Sequence, residues 1–401
     1  MTKNKTLLKR MGVTLLILAL YQIAITVPLP NLSVTVANSS LLNLLNITSG
    51  GGFTSLTLFA LGLTPYITAT IITQLLTSGV SKTMTLWSEQ GTAGRTKINT
   101  VTKTVMIVLA LIQAPALIFA LKQLQTIGAV GAVSWKTYVF ATLIVTAGAS
   151  MAKFMGDELN RHGLGNGASL LIAANIAAGL PDTVKTVIQL FSSKQTQPKA
   201  WIAILVFVVG VLAIVFMELT ERRLRIQAAR QTQISSKKAY LPIKLNPAGM
   251  IPVIFAGGLI SIAHTLSTLA TSNKVLANIT HVLGLDTTSG KIIYAAIVFT
   301  FGVFYSFTQV NPTKLKANFM HSNTYLLGVS YAQTENYLAL SIVQLSMIGS
   351  AILAVMALIP YILGIDSIVS LISLLILVIS LIELVRQIQG LRLKSSYSTK
   401  L

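Results

Sequence analysis

SGGGFTSLTLFALGLTPYITATIITQLLTSG, residues 49–79, sets three glycines, a central proline and a series of polar side chains (Thr64, Thr68, Thr70, Thr73, Gln74) in an otherwise apolar run. Pro65 ends or kinks any helix that precedes it, and Gly50, Gly51 and Gly52 loosen the backbone further. A broken segment at membrane depth must be buried in protein or line a watery cavity, because lipid cannot satisfy free backbone groups. The stretch FTSLTLFAL (53–61) therefore reads as a short helix inside a bundle, hung on a flexible lead. Beyond Pro65 a second helix places Ile67 and Ile71 four apart on one face, with Gln74 one turn further on.

The surrounding chain fits that setting. Hydrophobic residues make up 53% of 401 and charged residues 10%, against about a quarter charged in an average soluble domain. No Asp, Glu, Lys or Arg stands between Arg10 and Lys82, a gap long enough for two crossings of about 20 residues each. The opening MTKNKTLLKR and its apolar run resemble a signal peptide. The run continues to Pro28 without a small-x-small cleavage site, so it reads as a retained first span. The absence of cysteine excludes disulfide frameworks, zinc clusters and thiol catalysis.

Hydropathy and charge placement predict ten segments, at 11–29, 53–80, 103–121, 137–155, 167–191, 201–217, 247–267, 291–309, 337–362 and 367–385. With both termini on the cytoplasmic side, 23 of the 30 Lys and Arg fall inside, the sense of the positive-inside rule. The net charge of +20 thus reads as orientation, not as nucleic-acid binding. Two long inner loops, 218–246 and 310–336, are either solvated connections or a docking platform for a cytoplasmic partner. The expected fold is an all-α integral membrane protein of ten transmembrane helices in two pseudo-symmetric inverted halves, 1–200 and 201–401. LGLTPYITATII and GMIPVIFAGGLI, each with an early proline, are the weak internal echo of such a repeat.

Ionisable groups inside the bilayer, which pumps and intramembrane enzymes need, are nearly missing from these spans. Lys103, Lys153, Lys291, Glu383 and Arg386 all sit near predicted span ends, where long side chains reach the interface. The four histidines (His162, His264, His281, His321) form no metal spacing. GLGNG (163–167) is not a nucleotide-binding glycine pattern, and no G-x-S-x-G elbow occurs. No catalytic, cofactor-binding or metal-binding residues are expected. Gln74, Gln113 and Gln344 read as polar contacts between helices. A passive conduit suits these facts. A secondary transporter for a small solute, built from inverted repeats, is the alternative and would need a polar midplane site.

LFALGLTPYITATIITQLL resembles the second span of the SecY family of protein-conducting channels, and further matches follow in family order. GLGNGASLLI (163–172) resembles its fifth span and LNPAGMIPVIFA (245–256) its seventh. ERRLRIQAARQ (221–231) is similar to its long cytoplasmic loop, and VFYSFTQVNPTKLKANF (303–319) to the end of span eight and the next loop. The resemblance implies a central pore with a plug half-helix at about 41–62, carrying Phe53, Leu56, Leu58 and Phe59. It also implies an apolar constriction ring of Ile67, Ile71, Ala168, Ile172, Ile251, Ile254 and, from span ten, Ile376. Branched aliphatics exclude ions by contact and dewetting, yet offer no fixed hydrogen bonds to a passing chain. The family opens sideways between span two and spans seven and eight, and Thr68, Thr73 and Gln113 are the expected polar contacts of that gate. An unchanged ion leak and signal selectivity in Gln113→Leu would remove Gln113 from it.

By the same resemblance the partners are a SecA-type motor ATPase, SecE-like and SecG-like small membrane subunits or accessory secretion proteins, a secretory preprotein and membrane lipid. Arg222, Arg223, Arg225, Lys314 and Lys316 are the expected motor-facing residues. The channel itself hydrolyses nothing and uses no cofactor, and it belongs in the cytoplasmic membrane. The sequence departs from the family at LGVSYA (327–332), where Ser330 replaces an arginine usual in that turn, and both ends are short. These departures resemble the accessory paralogue of some Gram-positive bacteria, which works with a second SecA and exports glycosylated serine-rich adhesins.

Overall fold

A computed structural model describes residues 2–29, 33–34, 57–123, 127–128, 135–192, 196–228, 239–259, 282, 287–365, 368 and 370–397. Of the expected plug, Phe53 and Leu56 lie outside the described residues, as does most of the second half of the predicted seventh span.

The chain is mostly helical. The first helix, α1 (Thr2–Ile25), shows a mainly exposed apolar face and buries Thr14, Ile17 and Tyr21. Residues 57–63 form a chain of tight turns, pinned where Leu58 N–H donates to Val27 O at 3.2 Å and Pro28 bridges Thr57. Helix α5 (Trp135–His162) runs against this turn so closely that a Cβ at Gly148 would lie 1.8 Å from Leu58 O. Gly62, at φ 49°, closes the turn, and α2 (Thr64–Leu75) starts with Pro65 in its first turn, where proline has no amide to lose. It ends in a single wide π-turn, 76–80.

Short α3 (Lys82–Glu89) leads to α4 (Gly91–Gln123), which packs on α2 and α5. Small residues make this contact close: Ala60, Ala110, Ala114, Ala141 and Ala149 form one buried cluster with Leu29, Leu61, Leu117, Ile118 and Val145. The GLGNG stretch is the turn from α5 into α6 (Gly167–Phe191). Gly165 stands at φ 75°, and Asn160 Oδ1 accepts the Gly167 amide at 2.8 Å. Leu164 N–H donates to Thr14 Oγ1 at 3.0 Å, tying that turn to α1.

After α7 (Gln197–Leu219) come β3 (Glu221–Ala228) and β4 (Tyr240–Lys244), then α8 (251–259) and α9 (Thr288–Gln309). Next are α10 (Pro312–His321), β5 (Thr324–Leu326), α11 (Thr334–Leu363) and α12 (Leu371–Tyr397). The strands β1 (Ser33–Val34) and β2 (Ile127–Gly128) form a small antiparallel pair of their own. Strands β4-β3-β5 make an antiparallel sheet, with Arg223 opposite Pro242 and Gln227 opposite Tyr325.

Parts of both long loops, expected as solvated connections or a platform, therefore join into one ordered sheet. Leu224, Ile243 and Leu326 bury against Phe319, Leu338 and Ile342 of α10 and α11. The alternation of Arg223 and Arg225 with buried Leu224 is the period of a strand lying on a core.

Eight of the described helices are long and apolar enough to cross a membrane: Leu7–Ile25, Gly91–Phe119, Trp135–His162, Gly167–Phe191, Gln197–Leu219, Thr288–His321, Thr334–Leu363 and Leu371–Arg392. The other two expected crossings fall on shorter described segments, α2 with its π-turn and α8. The count of ten therefore remains the sequence expectation.

Candidate functional site

A cavity of about 400 Å³ opens among α2, α6, α8, α9 and α12. Its deep wall is apolar: Ile67 and Ile71 from α2, Ala168 and Ile172 from α6, Ile251 and Ile254 from α8. The period of each helix turns these pairs to a common side. Six of the residues expected in a constriction ring thus border one space. The seventh does not. Ile376 is 0% exposed and packed in the main core with Leu374, Leu375 and Ile379. Ile379, one turn along α12, is the residue of that helix on the cavity wall. A continuous apolar run such as SLLILVIS gives no phase from which to choose between them.

The rim toward the sheet is polar. Gln74 follows Ile71 on α2, Gln309 follows Tyr305 on α9, and Glu383 follows Ile379 on α12. Asn160 stands in the last turn of α5 and Asn166 at the N-cap of α6, and Glu218 and Lys244 lie on the segments entering and leaving the sheet. Glu218 is 1% exposed; its Oε1 pairs with Lys244 and, at 3.5 Å, with Arg386 Nη1. Arg386 Nη2 also donates to the Glu218 backbone carbonyl at 3.3 Å.

Arg386 keeps 41% of its side chain exposed while it reaches Glu218, whereas Lys153, expected to reach an interface, is 9% exposed. It pairs with Asp157 and lies 5.3 Å from the Tyr66 ring centre. A carboxylate one turn away on the same helix, with an aromatic face above, offsets the cost of burying that ammonium.

The seam between α2 and α8 is tight. Thr64, Thr68, Ile67, Ile71, Ile254, Phe255, Gly258 and Leu259 enclose only a small crevice, and a Cβ on Gly258 would stand 3.8 Å from Thr68 Oγ1. Thr68 donates to Thr64 O of its own helix at 3.0 Å. Thr73 instead faces α4, accepting from Thr102 Oγ1 at 3.0 Å. Gln113 is buried on α4, and its Oε1 has no partner among the described residues.

The described hydrogen bond that crosses from α2 to α9 runs from the Tyr305 hydroxyl to Gln74 Oε1. Sequence reasoning named Gln74 only as interhelical glue and missed Tyr305; FYSFTQ on a predicted apolar span held the only signal. Beside this bond, Phe255 of α8 meets Phe301 of α9 edge-on at 3.9 Å.

Outside the cavity lining, Phe59 is fully buried and its ring lies 5.2 Å from that of Tyr21. Leu58 lies on the same turn, under Gly148. The two described residues of the expected plug, Leu58 and Phe59, are thus held by α5 and α1.

The basic residues of the sheet and of α10 differ in commitment. Arg223 pairs with Glu221 at 2.9 Å and lies over Tyr240 at 4.8 Å; the Glu221 hydrogen bond holds its guanidinium above the ordinary value. Lys316 pairs with Glu335 at 3.3 Å and lies over Tyr331. Arg222, Arg225 and Lys314 are exposed. Among the described residues no cluster of His, Cys, Asp or Glu has the makings of a metal site.

Comparison with known proteins agrees with this architecture. The SecY family profile matches residues 57–385. A protein translocase subunit SecY 1 of Lactobacillus kefiranofaciens subsp. kefiranofaciens is 34% identical over 373 residues, covering 89% of this chain and 86% of that protein. The SecY of Lactococcus lactis subsp. cremoris is 31% identical over 374 residues, covering 89% and 85%. Among solved structures, one described as the structure of a protein conducting channel superposes with a TM-score of 0.69 at 17% identity, over 94% of this chain and 92% of that one. The Sec61 of a canine ribosome–channel complex superposes at 0.66 and 19% identity, with the same coverage. By its sequence profile, its relatives and its fold, the chain belongs to the SecY family.

Proposed function

We propose that this chain is the channel subunit of a protein translocase and that the cavity between α2, α6, α8, α9 and α12 is its conduit. The observation that carries the reading is the convergence of six small or branched apolar side chains from three helices on one space. Such a wall seals against ions without binding a peptide tightly. The constriction comprises Ile67, Ile71, Ala168, Ile172, Ile251 and Ile254, with Ile379 in place of Ile376 from α12. The plug is the segment ending in Leu58 and Phe59, and the lateral gate is the α2–α8–α9 seam, packed closely at Thr68 and Gly258 and latched by the Gln74–Tyr305 bond. The relatives are protein translocase subunits by name, which favours this reading over a small-solute transporter.

The chain is a multi-pass membrane protein, placed by this reading in the bacterial cytoplasmic membrane with both termini and the β3–β5 sheet on the cytoplasmic side. The two halves meet near residue 200. Arg222, Arg225 and Lys314 present charge to a SecA-type motor, while Arg223 and Lys316 shape that surface through their pairing. SecE-like and SecG-like subunits cover part of the apolar perimeter. Ser330, exposed on the turn after β5, lacks the charge that an arginine would bring there, which supports service with a second motor in an accessory route for serine-rich adhesins.

The test is reconstitution in vesicles with either motor ATPase and a radiolabelled secretory chain. Protease-protected chain that depends on ATP and on the channel is the expected result. Solute uptake without any secretory chain, and no protection with one, would overturn the reading. Protection with the housekeeping motor alone would overturn only the accessory assignment.

A further inference from the structure

The polar rim contains a charge arrangement that the conduit reading does not use. Glu218 is almost wholly buried at the end of α7, yet only one of its carboxylate oxygens is engaged. Lys244 and Arg386 both converge on Oε1. Oε2 is buried and has no hydrogen-bond partner among the described residues, while the residue forms part of the cavity wall. A buried carboxylate oxygen left bare is costly. A second carboxylate, Glu383, borders the same cavity and shares the field of Lys244, Glu218 and Arg386. Lys244 is itself 36% exposed and, among the described residues, its ammonium bonds only the Glu218 carboxylate, so it is the replaceable partner; Arg386, although 41% exposed, is fixed by its second bond to the Glu218 carbonyl.

Resting on the reading of this cavity as a polypeptide conduit, we propose that Glu218 and Glu383 form a cation-accepting station at its rim. The ligand is the ammonium of a lysine or the guanidinium of an arginine in the chain entering the channel. Lys244 swings toward solvent, and the incoming cation takes its place at the Glu218 carboxylate, reaching Oε2 as well, beside the Glu383 carboxylate. Arg386 stays and keeps the site from holding its cargo permanently. The apolar wall beyond offers a cation nothing, so basic residues pause at the rim before crossing. A neutral or acidic side chain finds no such partner there.

The experiment uses the reconstituted complex with its motor and two otherwise identical secretory chains, one with a short lysine block and one with glutamines at the same positions. Dwell time at the rim is read by site-specific crosslinking of stalled chains. Each variant's lysine dwell is divided by its own glutamine dwell. We expect a ratio of about fivefold, the scale of one partly exposed ion pair, falling to about one in Glu218→Gln and in Glu383→Gln. Glu383 is only half-buried, so its variant reports even if Glu218→Gln fails to fold. An arginine block should behave like the lysine block. A ratio that persists in Glu383→Gln, or a ratio of one in the unmodified channel, overturns the station. Failure of both chains to cross the unmodified channel overturns the conduit reading itself.

Discussion

The deep wall and the rim of the same cavity are built on opposite principles. The wall takes its residues from helix faces with a simple period: Ile67 and Ile71, Ala168 and Ile172, Ile251 and Ile254, all apolar. The rim takes Gln74, Gln309 and Glu383 one turn further along those helices and their neighbours, and adds Glu218 and Lys244 from the ends of α7 and β4. Dewetting works only where no fixed charge is present, and ion pairing works only where charges are brought together, so a turn of helix separates the two. The rim is also where the sheet, the α7 end and α12 are joined, through Glu218, Lys244 and Arg386. A seal and a structural knot therefore sit within one cavity without sharing a residue.

The contrast can be broken experimentally, beginning at the knot. Lys244→Ala with Arg386→Ala leaves the buried Glu218 carboxylate uncompensated, and unfolding in detergent should show a loss of about 3–5 kcal/mol. An unchanged midpoint would mean that the rim is solvated and not a knot. On α12 the two isoleucines should separate packing from sealing. Ile376→Ala should cost about 2–5 kcal/mol by opening a cavity in the core, with little added ion leak. Ile379→Ala, equally buried, should cost a similar amount and leak more; a reversed order of leak would restore Ile376 to the constriction.

A smaller effect is expected at the seam. Tyr305→Phe removes one hydrogen bond, about 1 kcal/mol, and should ease lateral opening, seen as faster insertion of a weakly apolar signal segment. Gln74→Leu should then add almost nothing to Tyr305→Phe; full additivity would show that the bond does not act as a latch. The smallest effect on the fold belongs to the sheet surface. Arg222→Glu with Arg225→Glu should leave the melting temperature where it was while abolishing motor stimulation. Undiminished ATPase stimulation would place the motor elsewhere.

Much of the wall was legible because helices repeat. Pro65 marks where α2 begins, and isoleucines at its spacing fall on one face whatever surrounds them. Family motifs then selected the helices that share the cavity. Ile376 and Ile379 were not separable, since SLLILVIS is apolar on every side and phase is set by neighbours. The family resemblance makes Thr73 an expected gate contact, yet its hydroxyl meets Thr102 of α4. Lys153 illustrates the same limit: a basic residue near a span end can point to the interface or inward, and only a partner such as Asp157 decides.

Composition alone determined that this chain lives in lipid, because so few charges leave water no role as its solvent. Local rules determined where helices break, since proline and glycine act through their own backbone. Which residues meet across the bundle was decided only by the tertiary structure. A hydrogen bond between Gln74 and Tyr305, or a carboxylate shared by Lys244 and Arg386, joins positions far apart in the chain. No local propensity encodes that distance; it is settled by how whole helices pack.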